Sequence, residues 1–289
     1  MVQRDVERIA PHPGVRGVAF ASQGERFTWD YHLPNYSAYT ETCAAIGLVF
    51  WAQRLLQAEP RGEYADVMER ALYNGVLSGI SLAGDRFFYV NPLGLDYHAY
   101  QDEMDRYGRS SVVPERQDWF GCACCPPNIA RLLTSLGGYA YSANENALFV
   151  HLYAAGSAQA EVSGQRVGLQ VETDYPWNGD VAITVQPKAA AEFILALRLP
   201  GWCRQPRVTL NDEAVPLDEV TRDGYAYLRR TWQPGDVVRL TLPMPVERIY
   251  AHPEVREDAG RVALQRGPLV YCLEEADNGA NLEAVRLPR

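Results

Sequence analysis

Cys124 and Cys125 stand side by side in Cys122-Ala123-Cys124-Cys125-Pro126-Pro127-Asn128, and about eighty residues earlier a third cysteine occurs in Glu41-Thr42-Cys43. Adjacent cysteines held by a diproline at the start of a helix are poorly explained by packing alone. With the ligand pattern Glu-x-Cys they supply one carboxylate and three sulfurs to a tetrahedral zinc. Structural zinc sites usually space their cysteines two or more residues apart within an arm, so the tighter spacing argues for a chemical role. A metal, and the positive end of the helix behind Pro127, both favour the thiolate over a thiol whose ordinary pKa is about 8.5. A thiolate held by a metal is a quenched nucleophile, so attack requires one sulfur to loosen. Cys124 is taken as the attacking sulfur and Cys125 as the more permanent ligand, a choice that position alone does not settle. A zinc that only ties loops together accounts for the same four residues. Cys122 either replaces Cys43 or Cys125 as a ligand or is simply buried.

These residues sit in a 289-residue chain that is 47% hydrophobic and 22% charged, ordinary globular composition and enough for two domains and part of a third. A net charge of -9 argues against nucleic acid and anionic membranes and is compatible with a neutral substrate such as a sugar. No secretory signal opens the sequence and no apolar run is long enough to span a membrane, so reduced thiols in the cytoplasm are expected. Cys203 and Cys272, in β-type segments, are expected to be inert small hydrophobes.

A sulfur that breaks a glycosidic bond also needs a proton donor. Glu25, in Gly24-Glu25-Arg26-Phe27, is the candidate, although one glutamate in a loop is equally a solvated charge. His32, His98 and Tyr39 lie in segments able to reach the same pocket, to shape or flank it. Glu69 either hydrogen-bonds a sugar hydroxyl or the cysteine, or pairs along its own helix face.

Positioning the four ligands constrains the backbone. Residues two apart on a helix point to opposite sides, so Glu41 and Cys43 share an ion only if that stretch is non-helical, with the helix starting near Ala44. Pro126 biases Cys125 away from the helical region and encourages the turn on which the two sulfurs converge. Apolar spacing predicts helices over about 37–57 and 63–80, and a third whose first helical position is Pro127 and which Gly137-Gly138 ends. Phe87 to Val90 reads as a short strand. After about Asn144 the texture becomes β, with segments at 148–153, 165–172, 181–185, 193–199, 207–210, 225–229 and 237–242. Asn178-Gly179-Asp180, Asn211-Asp212 and Pro234-Gly235-Asp236 punctuate them, which predicts a sandwich. The segments 262–265 and 269–272 could begin another sheet. Three helices and an entry segment do not close a large bundle, so the chain is a fragment of a longer architecture or a partner covers its helical faces.

At these residues the chain resembles the bacterial β-L-arabinofuranosidases of glycoside hydrolase family 127. The resemblance is carried by Gly24-Glu25-Arg26-Phe27, Asp30-Tyr31-His32-Leu33-Pro34-Asn35, Tyr39-Thr40-Glu41-Thr42-Cys43-Ala44, Glu69-Arg70-Ala71-Leu72-Tyr73-Asn74 with Leu77-Ser78-Gly79, Cys124-Cys125-Pro126-Pro127-Asn128, and Gln265-Arg266-Gly267-Pro268-Leu269-Val270-Tyr271. It implies an α+β multidomain fold, part of an (α/α)6 barrel over 1–143, an antiparallel β-sandwich over 144–246 and the start of a further β region over 247–289. It implies Zn2+ on Glu41, Cys43, Cys124 and Cys125, Cys124 as nucleophile, Glu25 as acid and base, and a retaining double displacement on a small carbohydrate. Family members are about twice this length. The missing first half of the barrel would come from a second copy or a separate chain. The alternative is a non-catalytic zinc-stabilised module binding glycan or protein, with Trp177, Trp202 and Trp232 as a stacking surface.

Overall fold

The computed structural model describes residues 30–36, 38–95, 97, 98, 100–102, 112–279 and 281–288. Helix α1 (Thr42–Ala58) buries Ile46, Val49, Ala52 and Leu56, one stripe at helical spacing. Helix α2 (Gly62–Ala71) lays Ala65, Met68 and Ala71 against it. It does not continue as one α-helix to Ile80. The chain widens into a π-helical turn at Leu72–Val76 and ends as a 3-10 turn at Leu77–Gly79. The wide turn presents Asn74 to a sheet far along the chain: its amide donates to the Pro268 carbonyl at 2.9 Å and accepts from the Val270 N–H at 2.9 Å. Helix α3 (Cys125–Ser135) buries Cys125 and Leu132. Gly137-Gly138 does not stop the helical path, because neither glycine takes the positive φ of a helix-ending cap, and a further turn, α4 (Gly137–Ala140), follows.

The β portion comprises β1 (Tyr141–Ala143), β2 (Ala147–Val150), β3 (Gly156–Val162), β4 (Gln165–Thr173), β5 (Asp180–Pro187), β6 (Ala191–Arg198), β7 (Arg207–Leu210), β8 (Glu213–Ala214), β9 (Thr221–Arg222), β10 (Tyr225–Trp232), β11 (Asp236–Thr241), β12 (Val246–Ile249), β13 (Ala263–Arg266) and β14 (Leu269–Tyr271). Three sheets result, in the orders β1-β2-β6-β10-β9, β3-β4-β5-β11-β7-β8 and β12-β13-β14. The first two share one core: Leu195, Leu197 and Trp232 from one sheet meet Val167, Leu169, Ile183 and Val238 from the other. Pairing is antiparallel except between β2 and β6, so the first sheet is not purely antiparallel. The chain leaves that sheet after β2, builds β3 to β5 in the other, and returns as β6 running in the same direction.

Local sequence fixes the hairpins. Ser163-Gly164, Asn211-Asp212 and Asp223-Gly224 are two-residue turns with both φ positive, the geometry that matches strand twist. Strand β3 escapes the apolar spacing because it is an edge strand, exposed along most of its length. Phe87 to Val90 forms isolated bridges, to Ile80, Gln117 and Glu41, in place of a regular strand.

The helices dock on the sheets through close contacts. Gly62 opens α2 directly against Gly224 of the β9–β10 hairpin, where an added Cβ would stand 2.9 Å from the Gly224 Cα. The Gly62 N–H donates to the Asp223 carbonyl at 2.7 Å.

Candidate metal centre

Two short arms meet at the site. In the first, Glu41 is extended (φ -67°, ψ 140°) at the cap of α1. Residues 88–91 hold it there: the Thr42 N–H donates to the Tyr89 carbonyl at 2.9 Å and the Asn91 N–H to the Thr40 carbonyl at 2.9 Å. The Thr42 hydroxyl donates to the Phe88 carbonyl at 2.7 Å and accepts from the Asn91 amide at 3.2 Å. The helix therefore starts at Thr42, not near Ala44. One extended residue is enough to bring the Glu41 and Cys43 side chains together.

In the second arm Cys124 caps α3 with helical angles (φ -78°, ψ -43°), and Cys125 is already the first helical residue. The diproline does not push Cys125 out of the helix, and Pro127 is not the first helical position. The first N–H of α3 that needs an acceptor is that of Asn128, which donates to the Cys124 carbonyl at 3.3 Å, so both prolines fall where no N–H is needed.

Glu41, Cys43, Cys124 and Cys125 offer ligand atoms that all lie within 4.8 Å of one another. The Cys43 and Cys125 sulfurs are 3.5 Å apart and those of Cys124 and Cys125 3.7 Å. Glu41 Oε1 accepts from Cys124 at 3.3 Å and from Cys125 at 3.9 Å. A tetrahedral zinc with ordinary bond lengths needs sulfurs about 3.7 Å apart and a carboxylate oxygen about 3.5 Å from each sulfur. The four residues fit that ion, and all three thiols are free of disulfides.

The electrostatics fit a cation as well. Burial pushes the Cys43 thiol up to about 12, against the lowering effect of the Asn128 amide. Burial also raises Cys125, with Cys43 adding to it. Such thiols stay protonated unless a positive charge joins them. Glu41 and Cys125 are buried, whereas Cys43 and Cys124 are half-buried. The Tyr89 hydroxyl lies 3.2 Å from Cys124 Sγ, and that contact, then burial and Tyr39, raises the phenol. Cys122 is exposed and not buried as expected; it stays outside the four-residue cluster. Its thiol is lowered by hydrogen bonds from the Cys124 backbone and side chain.

Among the described residues, no other expected residue joins the four-residue cluster. Glu25 lies outside the described residues. His32 is half-buried in a segment fixed by packing of Leu33 and Ala38 on Val255 and by the Tyr31 ring stacked 4.5 Å from that of His252. His98 is exposed. Glu69 is buried at the joint between helices and sheets, ion-paired with the fully buried Arg198. Its carboxylate also accepts from the Tyr175 hydroxyl at 2.5 Å and the Trp202 indole at 3.2 Å. Arg198 reaches Asp66 at 2.7 Å, and the Gly201 N–H donates to Asp66 at 3.0 Å. Among the described residues no hydrogen bond links Glu69 to the cysteines. Trp232 is buried in the core and Trp202 is tied to Glu69, so of the three tryptophans Trp177 alone is exposed, at 69%. Cys203 is buried as expected, but Cys272 lies just past β14 and is exposed.

Tyr89, Asn128 and Arg198 were not singled out by the sequence. Asn128 closes the diproline motif, one helical turn from Cys124, and that spacing was the available signal. Nothing local marked Tyr89 or Arg198.

Three consecutive glycoside hydrolase descriptions match the chain: the GH127 β-L-arabinofuranosidase catalytic domain over residues 12–138, its middle domain over 147–244 and a family 127 C-terminal domain over 246–289. The chain belongs to glycoside hydrolase family 127. It is 42% identical over 273 residues to the non-reducing end β-L-arabinofuranosidase of Bifidobacterium longum subsp. longum, covering 91% of this chain and 40% of that protein. It superposes on a GH127 β-L-arabinofuranosidase from Geobacillus stearothermophilus T6 with a TM-score of 0.86 and 57% identity, over 92% of this chain and 41% of that one. A second solved structure, a GH127 β-arabinofuranosidase, gives 0.79 and 39%, over 90% and 41%. The chain thus spans about two fifths of the length of these relatives. Among the described residues, no helix is long and apolar enough to cross a membrane.

Proposed function

We propose that Glu41, Cys43, Cys124 and Cys125 hold Zn2+, and that the chain carries the nucleophile of a retaining glycoside hydrolase for β-L-arabinofuranosyl groups. The observation that carries the reading is the convergence of one carboxylate and three free thiols within 4.8 Å. Bound zinc would supply the positive charge that keeps these buried sulfurs deprotonated. Cys124 Sγ attacks the anomeric carbon, forming a C–S bond as the leaving oxygen takes a proton from Glu25. Glu25 then removes a proton from water, the new C–O bond displaces the sulfur, and two inversions retain configuration. His32 is assigned to the sugar pocket. Glu69, with both oxygens engaged at the interdomain joint, is assigned to holding α2 in place.

In this reading residues 1–143 belong to an (α/α)6 barrel, 144–246 form a β-sandwich and 247–289 begin a further β region, in a protein working among reduced cytoplasmic thiols. The remaining barrel wall comes from the part of the family architecture outside these residues, on a longer polypeptide, a second copy or a separate chain. Exposure of Trp51 (41%) and Leu133 (42%) on the helices supports a covering element. The non-catalytic reading offered three tryptophans as a stacking surface for sugars, and the burial of Trp232 and the tie from Trp202 to Glu69 disfavour that surface.

The test is zinc content and release of L-arabinose from a chromogenic β-L-arabinofuranoside, with the remaining barrel helices of a relative co-expressed. Cys124→Ser and Glu25→Gln are expected to lower turnover at least about a hundredfold with zinc and folding kept for Glu25→Gln. Unchanged turnover in either variant removes the assigned role.

A further inference from the structure

Burial does not decide which sulfur attacks. Cys125 is fully buried, but Cys43 and Cys124 are both half-buried, and both sit in the same cluster. What separates them is that Cys43 accepts a side-chain hydrogen bond, whereas Cys124 is the donor toward Glu41 and Tyr89. The Asn128 side-chain amide, one turn into α3, donates to Cys43 Sγ at 3.0 Å, crossing from the diproline arm to the α1 arm. An amide N–H has one fixed direction. The Tyr89 hydroxyl beside Cys124 accepts from that sulfur at 3.2 Å and is a rotor, so no donor of fixed direction is aimed at Cys124.

Three thiolates and a carboxylate around a divalent cation leave a surplus of two negative charges, carried mainly on sulfur. A hydrogen bond from a fixed donor withdraws charge from the sulfur that accepts it, and so weakens that sulfur as a nucleophile. We propose that Asn128 is a positioning residue that makes Cys43 the fixed, unreactive ligand, so that Cys124 is the sulfur free to attack. The inference rests on the zinc and nucleophile reading given above and adds the device that chooses between two otherwise similar cysteines. Asn128 also sits within the second arm itself, its N–H on the Cys124 carbonyl, so one residue links the position of the attacking sulfur to the quenching of its competitor.

The test uses the zinc-loaded full chain and limiting iodoacetamide. A reacting thiolate forms a C–S bond to the methylene carbon and expels iodide. Cleavage after arginine places Cys43 in peptide 27–54 and Cys122, Cys124 and Cys125 in peptide 117–131, where fragment sequencing separates them. Cys124 is expected to react about tenfold faster than Cys43 in the unmodified protein. Asn128→Leu and Asn128→Ala are expected to raise the Cys43 rate about tenfold while zinc content and the Cys124 rate are kept. In the cobalt-substituted protein the same variants are expected to move the sulfur-to-metal charge-transfer band to longer wavelength, which a purely structural role would not do. Equal rates at Cys43 and Cys124 in the unmodified protein overturn the inference even if neither variant folds. Variants that fold, keep zinc and change neither the Cys43 rate nor the band overturn it too. A chain that takes up no zinc overturns both this inference and the reading beneath it, so the two failures are told apart.

Discussion

In the paired sheets every inner strand ends in the same core: Val167, Leu169, Val171, Ile183, Leu195, Leu197 and Trp232 are at most 2% exposed and meet across one layer. The helical portion is built otherwise. Its cluster around Ile46, Met68 and Leu132 covers one side of α1 and α3, while Trp51 and Leu133 on other faces stay exposed. Around the candidate metal cluster the backbone is held by isolated bridges, Glu41 to Val90 and Phe87 to Gln117, in place of a ladder. Hydrophobic burial thus concentrates in the sheets, while the candidate metal cluster rides on elements that depend on contacts made elsewhere. Such contacts include the Gly62–Gly224 approach and the cluster of Asp66, Glu69 and Arg198.

That difference is broken most directly at Arg198. Its guanidinium is fully buried between two carboxylates, so Arg198→Ala leaves Glu69 buried and uncompensated, at a cost of about 3–5 kcal/mol. Urea unfolding is expected to split, with the helical signal, and with it zinc at the proposed site, lost before the strand signal. A variant that still unfolds in one step, near the original midpoint, would show that the helices hold themselves in place.

A smaller effect tests the joint from the sheet side. His151, just past β2, is buried with one ring nitrogen 2.6 Å from the Tyr225 hydroxyl and the other 2.7 Å from the Ser142 hydroxyl. Burial first, and the positive charge of Arg198 second, lower it to about 4. The unfolded chain therefore binds a proton near pH 6.5 that the folded chain refuses until about pH 4. Stability from the neutral imidazole is complete above pH 6.5 and is lost as pH falls toward 4, by at most about 3 kcal/mol. The slope of melting temperature between those pH values is expected to flatten in His151→Asn. A slope identical in the two proteins would mean the imidazole charges without penalty.

The two portions also differed in how far the sequence revealed them. Alternating Val167, Leu169 and Val171, with turn pairs such as Asn211-Asp212, made the inner strands readable, because period-two burial and positive-φ turns are local properties. Strand β3 was silent since an edge strand buries almost nothing. The four residues of the Glu41 cluster were readable as residue types with metal-binding spacing. Their backbone was not: Glu41 is extended because residues 88–91 clamp it, and Cys125 is helical because Asn128 closes the first turn. The ion pair of Glu69 was hidden for the same reason, since Arg198 lies 129 residues away.

The smallest expected effect sharpens the comparison most. Trp51 is 41% exposed on the face of α1 opposite Ile46, Val49 and Ala52, beside Gly47, where an added Cβ would meet nothing within 4 Å. A large aromatic and a bare helical glycine on one open face gain little from this chain alone. Trp51→Ser is therefore expected to change the stability of the chain by no more than about 0.5 kcal/mol, against the several kcal/mol that truncating a buried tryptophan costs. With the part of a relative that lies outside the matched region co-expressed, the same substitution is expected to weaken its capture on affinity purification. A Trp51→Ser protein as destabilised as a core variant would mean that the open face is already covered by the chain's own residues, and the contrast between the two portions would dissolve.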